Sequence, residues 1–318
     1  MQAAPRGRGR DWRVLGGWAP PNGTDNGLEL ASSMTNSLAI DFSSVPQAGG
    51  RRLLLGAAEG KMFHYSPDRE HPQWRELVLP APVASAKGSW LPLTAIACVS
   101  SSRTVPGVAF AARGYDILRI DLSGPAGGSA LPTVTALRSA GPPSDPMVQP
   151  RSILPLSPSL LVVGAASSGP HSTAIGSRDR LALLRGVIQH DNISWTKTFS
   201  PLDDLHPEAP EAASLRHMFF SDIVQLPRSG DGNSTRLFAG LQTSGDYFDG
   251  ADPPSPVYAS DSLGVTWAVY EPALAITNHK AISLLAVGGR DGSEDGGGQI
   301  CVATDGTGLQ CVNGAAPL

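Results

Sequence analysis

The sequence predicts an all-β chain folded as a five-bladed β-propeller whose last blade is closed by an N-terminal strand, and three observations lead there. Five segments of short apolar strands repeat along the 318 residues. Gly and Pro number 36 and 28 while charged residues are only 16% of the chain, which suits many short strands joined by turns better than long amphipathic helices. A tryptophan-led segment recurs late in several repeats, is missing from the last, and stands instead near the N-terminus at residues 11–15.

Each repeat opens on an apolar strand that begins with a small or polar residue followed by Ile: Ala39-Ile40, Ala95-Ile96, Ser152-Ile153, Asp222-Ile223 and Ala281-Ile282. The second strands read Leu53-Leu54-Leu55-Gly56, Val108-Ala109-Phe110, Leu161-Val162-Val163-Gly164, Leu237-Phe238-Ala239-Gly240 and Ile300-Cys301-Val302. Taking positions 56, 110, 164, 240 and 302 as equivalent gives steps of 54, 54, 76 and 62 residues, the size of a four-stranded blade with variable loops. The repeats then cover about 37–80, 92–137, 150–200, 217–272 and 279–318, within one domain of residues 11–318 preceded by a disordered tail at 1–10.

Fourth strands start at Trp74, Trp195 and Trp267, with Val134 to Leu137 taking that place in the second repeat. The fifth repeat ends at Leu318, too soon after its third strand to supply a fourth. Asp11-Trp12-Arg13-Val14-Leu15 has the same pattern, so its addition to the last blade would close the ring and leave no open edge.

Ser260-Asp261-Ser262-Leu263-Gly264-Val265-Thr266-Trp267 resembles the Asp-box, or BNR repeat, of sialidase-like propellers, whose pattern is Ser-x-Asp-x-Gly-x-Thr-Trp. Ser260, Gly264, Thr266 and Trp267 fit; Ser262 occupies the aspartate position, and Asp261 stands one place early. Ser66-Pro67-Asp68, followed by Trp74, is similar in a looser form. The resemblance implies a propeller and a structural hairpin, in which a short polar side chain caps the turn, Gly supplies its backbone and Trp packs beneath. It does not imply an activity, because propellers host hydrolases, lectins and receptors alike.

In a propeller the innermost strands line a central channel, and ligands meet the loops that lead into them. Arg151, His217, Ser221, His279 and Lys280 lie at those positions, with Arg113 and Asp305 in turns between second and third strands on the same face. Tyr247 sits in a Pro-rich insert that would stand out as a recognition loop. Asp41 and Asp222 flank the Ile of their repeats on the same side of alternating strands, which makes them the candidate acid/base pair of a hydrolase. Against an enzyme, the chain has no Gly-x-Ser-x-Gly, Walker loop or His-Glu-x-x-His, and lacks the Arg-Ile-Pro segment of the sialidases it resembles.

A net charge of −4 gives no general field for nucleic acid or an anionic membrane, and no run of about 18 apolar residues marks a membrane span. Three cysteines without zinc-type spacing predict neither a metal centre nor any other cofactor. Cys301 and Cys311 flank an apparent hairpin centred on Gly306, where either a disulfide or two buried thiols would fit. Three of the seven asparagines, Asn22, Asn192 and Asn233, sit in glycosylation sequons, which points to a secretory route, with organellar and cytoplasmic sites as alternatives. The expected function is a non-enzymatic module that binds a protein or glycan through its channel face and long loops, as a monomer or within a larger assembly. The alternative is a glycoside hydrolase working through Asp41 and Asp222.

Overall fold

A computed structural model describes residues 2–3, 12–13, 35–41, 52–57, 60–65, 74–81, 93–98, 107–114, 116–122, 131–139, 149–166, 181–203, 218–227, 235–243, 257–270, 283–287, 298–304 and 308–313. Every regular element among them is a β-strand. The chain divides into two compact units, Met1–Arg113 with Leu118–Ala136, and Gly114–Ile117 with Leu137–Leu318.

In the first unit, β1 (Gln2–Ala3) pairs antiparallel with β2 (Trp12–Arg13). The strands β3 (Thr35–Asp41), β4 (Arg52–Ala57), β5 (Met62–Tyr65) and β6 (Trp74–Glu76) form an antiparallel meander in that order. A second run follows with β7 (Leu93–Cys98), β8 (Val108–Arg113), β9 (Asp116–Asp121) and β10 (Thr133–Ser139). Leu54, Met62, Ala109, Leu118, Ile120 and Leu122 make its core.

The second unit continues with β11 (Gln149–Ser157), β12 (Leu160–Ala166), β13 (Leu183–Gln189) and β14 (Asn192–Phe199), then β15 (Met218–Pro227), β16 (Thr235–Thr243), β17 (Val257–Ser260) and β18 (Ala268–Val269). It ends with the three-stranded sheet of β19 (Ser283–Val287), β20 (Gln299–Thr304) and β21 (Gly308–Asn313). Val162, Leu183, Phe220, Leu237, Leu241 and Tyr258 form one core, and Phe238, Val257, Tyr270, Leu284, Ile300 and Val302 another. Middle strands such as β8 and β17 are buried along their whole length, whereas β14, β18 and β21 are largely exposed. That is why the middle strands read as unbroken apolar runs and the outer ones as polar alternations.

The first strands of the first four antiparallel runs share a further detail, although β7 to β18 belong to one twelve-stranded sheet in which β10 pairs parallel with β14 and β12 pairs with β15. Their ladders skip one residue between Thr35 and Ser37, Leu93 and Ala95, Pro150 and Ser152, and Phe220 and Asp222. Asn36, Thr94, Arg151 and Ser221 are therefore bulged residues at matching places. After each bulge a small residue or Asp faces Gly or Ala: Ser37 and Gly56, Ala95 and Ala112, Ser152 and Gly164, Asp222 and Gly240. The first repeat thus begins at Ser37-Leu38, two residues before the expected Ala39-Ile40; a two-residue slide keeps every side chain on its face, so the apolar pattern does not report it. Ser283-Leu284, with Ser283 opposite Ala303, continues the pattern in the three-stranded sheet, while Ala281-Ile282 lies outside the described residues.

The outermost strands keep their tryptophans but not always at the front. Trp74 begins β6 and packs on Tyr65 with ring centroids 5.1 Å apart. Trp195 lies inside β14, opposite Gly186 of β13, and a Cβ on Gly186 would come within 2.5 Å of the Trp195 ring. Gly186→Ala is therefore expected to cost about 1–3 kcal/mol through overpacking. The expected result is a lower urea midpoint at unchanged slope, and an unshifted midpoint would mean that the ring does not lie over this position.

Candidate functional site

The site is built in the upstream halves of β11, β15 and β19 in the second unit, where bulges interrupt the pairing of β11 and β15. Just past the β11 bulge, the Ser152 hydroxyl donates to the Phe220 carbonyl of β15 at 2.8 Å. This needs a close approach, since a Cβ on Gly164 opposite Ser152 would come within 2.5 Å of the Phe220 Cβ. At the matching place in β15, the Asp222 carboxylate accepts the Leu284 N–H of β19 through Oδ2 at 3.0 Å. One first strand is thus tied to the next twice in succession, each time by a side chain on a backbone group.

The bulged residues behave differently. The Ser221 hydroxyl turns back on its own sheet and donates to the Gly240 carbonyl at 3.4 Å. Arg151 carries its guanidinium over the Phe219 ring, 5.7 Å from the centroid, a cation–π arrangement. Its Nε is buried with no hydrogen-bond partner among the described residues, and desolvation lowers its pKa from the ordinary arginine value. Arg185 of β13 likewise buries an Nε without a partner among the described residues. A desolvated guanidinium with a vacant donor is suited to a carboxylate or another planar anion. Phe219 and Arg185 were not among the residues expected from sequence, although the aromatic pair Phe219-Phe220 directly before Ser221 is a visible signal.

The other expected residues fall in several places. Asp41 ends β3, opposite Arg52 and at the far end of its strand from the bulge, and belongs to the first unit. Asp222 stands directly after its bulge, in the middle of β15, whereas Asp41 is the last residue of β3. Arg113 is buried at the end of β8, opposite Leu93, and is engaged by other groups. His217, Tyr247, His279, Lys280, Asp305, Asn22 and Asn233 lie outside the described residues, as do Ser66, Pro67 and Asp68 of the looser hairpin copy. Of residues 11–15, Trp12 and Arg13 are described, in the pairing with Gln2–Ala3.

The hairpin after β17 is held by its own short polar side chains. The Ser260 hydroxyl accepts the N–H groups of Ser262 and Gly264 at 3.3 and 3.0 Å. The Ser262 hydroxyl accepts the Thr266 N–H at 2.8 Å, and Trp267 Nε1 donates to the Gly264 carbonyl at 3.3 Å. Gly264 has φ of 80° and packs on Val162, where a Cβ would lie 2.9 Å away, so that position requires glycine. Asp261 serves elsewhere, since both its oxygens bind Arg236 of β16, Nε to Oδ1 at 2.6 Å and Nη2 to Oδ2 at 2.8 Å. The Arg236 side chain is 1% exposed, so this bidentate pair neutralises a fully buried charge.

Cys301 and Cys311 stand directly opposite each other on β20 and β21 and are joined by a disulfide. The Tyr270 hydroxyl donates to the Asn313 carbonyl at 2.9 Å and thereby ties the end of the β17–β18 hairpin to β21. Burial raises the Tyr270 pKa, opposed by nearby Arg236, and pushes that of Tyr258, which packs on Phe199 and Phe220, up to about 12. Among the described residues no group of three or more His, Cys, Asp or Glu is arranged to hold a metal, and no helix is long and apolar enough to cross a membrane.

No family model matches the chain, and no curated protein matches it. Among solved structures it is similar to the extracellular domain of a hybrid two-component system from B. thetaiotaomicron, at 11% identity and TM-score 0.47, over 87% of this chain and 27% of that one. It is also similar to YCF48 bound to D1 peptide, at 12% identity and TM-score 0.44, over 89% of this chain and 65% of that one. The Saccharomyces cerevisiae Sqt1 structure matches at 10% identity and TM-score 0.45, over 89% of this chain and 60% of that one. The chain spans less than two thirds of each, and likenesses at this level bear on neither its activity nor its partners.

The tie between β15 and β19 distinguishes a structural Asp222 from a catalytic one. Asp222→Asn keeps an acceptor for the Leu284 N–H and is expected to hold stability within about 1 kcal/mol, whereas Asp222→Ala leaves that N–H without its partner and costs about 1–3 kcal/mol. Urea melts of the two variants measure the difference, and equal midpoints would mean that this hydrogen bond contributes nothing to the fold.

Proposed function

We propose that the chain is a non-enzymatic β-propeller that binds a protein partner at the upstream ends of its first strands. The observation that carries this reading is Arg151: a guanidinium taken partly out of water, set on the Phe219 ring, with a buried Nε that no described residue meets. A buried charge left in that state is costly, and an acidic side chain of a partner would relieve the cost. The hydrogen bond from the Leu284 N–H, which engages Asp222 in the fold, supports recognition over hydrolysis.

The grouping of β3 to β21 into four runs of four strands and one of three supports a reading as five blades, with residues 11–15 as the missing outer strand of the last. The Cys301–Cys311 disulfide favours the secretory route over the cytoplasm.

Binding is tested by titrating a glutamate-rich peptide and its glutamine counterpart, alongside a glycan array and chromogenic glycosides. The acidic peptide is expected to bind with a strong salt dependence, and Arg151→Gln to weaken it at least about tenfold, the loss of one charge-assisted contact. Glycan binding alone would replace the protein partner with a sugar, and glycoside turnover lost in Asp222→Asn would overturn the reading. Closure is tested by Trp12→Ala, expected to cost about 3 kcal/mol if Trp12 is buried in the last blade; full retention of stability would remove residues 11–15 from the ring.

A further inference from the structure

We infer that Asn192 is an N-glycan acceptor, a proposal independent of the binding reading. The β13–β14 hairpin closes on the pair Gln189 and Asn192, with His190 at φ 57° in the two-residue turn between them. Asn192 and Ser194 are exposed while Ile193 between them is 1% exposed, so the strand turns the acceptor amide and the hydroxyl of the Asn-Ile-Ser sequon to the same outward side. Neither side chain is engaged by another group among the described residues. The backbone beneath them is held firmly: Arg138 N–H donates to the Asp191 carbonyl at 2.8 Å, and Arg138 runs parallel beside Asn192. A glycan here would leave from a fixed, solvent-facing turn and displace no packed side chain.

A second observation supports the secretory compartment. Glycan transfer and disulfide formation share the oxidising secretory lumen, and Cys301 and Cys311 are bonded across β20 and β21. In the transfer the Asn192 amide nitrogen bonds to the anomeric carbon of a lipid-pyrophosphate-linked oligosaccharide. The anomeric C–O bond breaks, and the amide proton leaves with the lipid pyrophosphate. The β13–β14 turn is then covered by sugar and closed to any docking partner.

The test expresses the full chain behind a cleavable secretory leader in insect cells and maps peptides after peptide-N-glycosidase digestion in heavy-oxygen water, in both the medium and the lumenal pool. Heavy-oxygen aspartate is expected at position 192 in most molecules, lost in Ser194→Ala and kept in Ser194→Thr. Unmodified Asn192 in protein whose Cys301–Cys311 bond is intact would overturn the proposal, as would label that persists in Ser194→Ala. Peptide binding by the same enzymatically deglycosylated protein is read separately, so a failure of the acidic-partner reading leaves this result untouched.

Discussion

The second unit depends on one recurring interaction: a hydrogen bond between a side chain just past the bulge of one first strand and a backbone group of the next first strand. Ser152 gives a proton to the Phe220 carbonyl, and Asp222 takes one from the Leu284 N–H. Among the described residues no ladder joins β11 to β15 or β15 to β19, so backbone groups there find partners in side chains. Ser and Asp, short and polar, reach a neighbouring main chain without filling the space between strands. Tyr270 makes a similar bridge at the outer margin, from the β17–β18 hairpin to the Asn313 carbonyl.

The bulge one residue earlier makes this arrangement possible and creates the candidate site as its by-product. An extra residue in one strand breaks the alternation, so the residue after it can face the next sheet while the bulged residue is aimed elsewhere. In β15 the bulged Ser221 is absorbed by the Gly240 carbonyl, and in β11 the bulged Arg151 is not absorbed by any described hydrogen-bonding group at its Nε. Arg236, a few strands away, shows how this protein treats an arginine whose role is internal: both oxygens of Asp261 neutralise it. The contrast between the paired guanidinium of Arg236 and the buried Arg151 Nε, which no described residue meets, supports the functional reading proposed for Arg151.

Much of the strand order was legible because apolar runs between Gly- and Pro-containing turns are a strong signal. Leu161-Val162-Val163, Leu237-Phe238-Ala239 and Ile300-Cys301-Val302 each became a buried second strand. A capped turn after the third strand was legible too, since the Ser262 hydroxyl accepts the Thr266 N–H. The phase of the first repeat was not, because a slide of two residues leaves polarity unchanged. The Arg236–Asp261 pair was also hidden, as it joins residues 25 apart whose meeting depends on the register of β16 with β17.

The ties between first strands are one-sided, and that has a consequence for how such a chain varies through descent. Only Ser152 and Asp222 are specified as side chains; their counterparts at Phe220 and Leu284 contribute backbone atoms that any residue but proline at the N–H would supply. Lineages that preserve these ties would keep a polar residue at the first position of each pair and leave the second free to drift. Pairwise covariation would therefore be silent about the bonds that hold neighbouring sheets together, and would speak instead of side-chain couples such as Arg236 with Asp261.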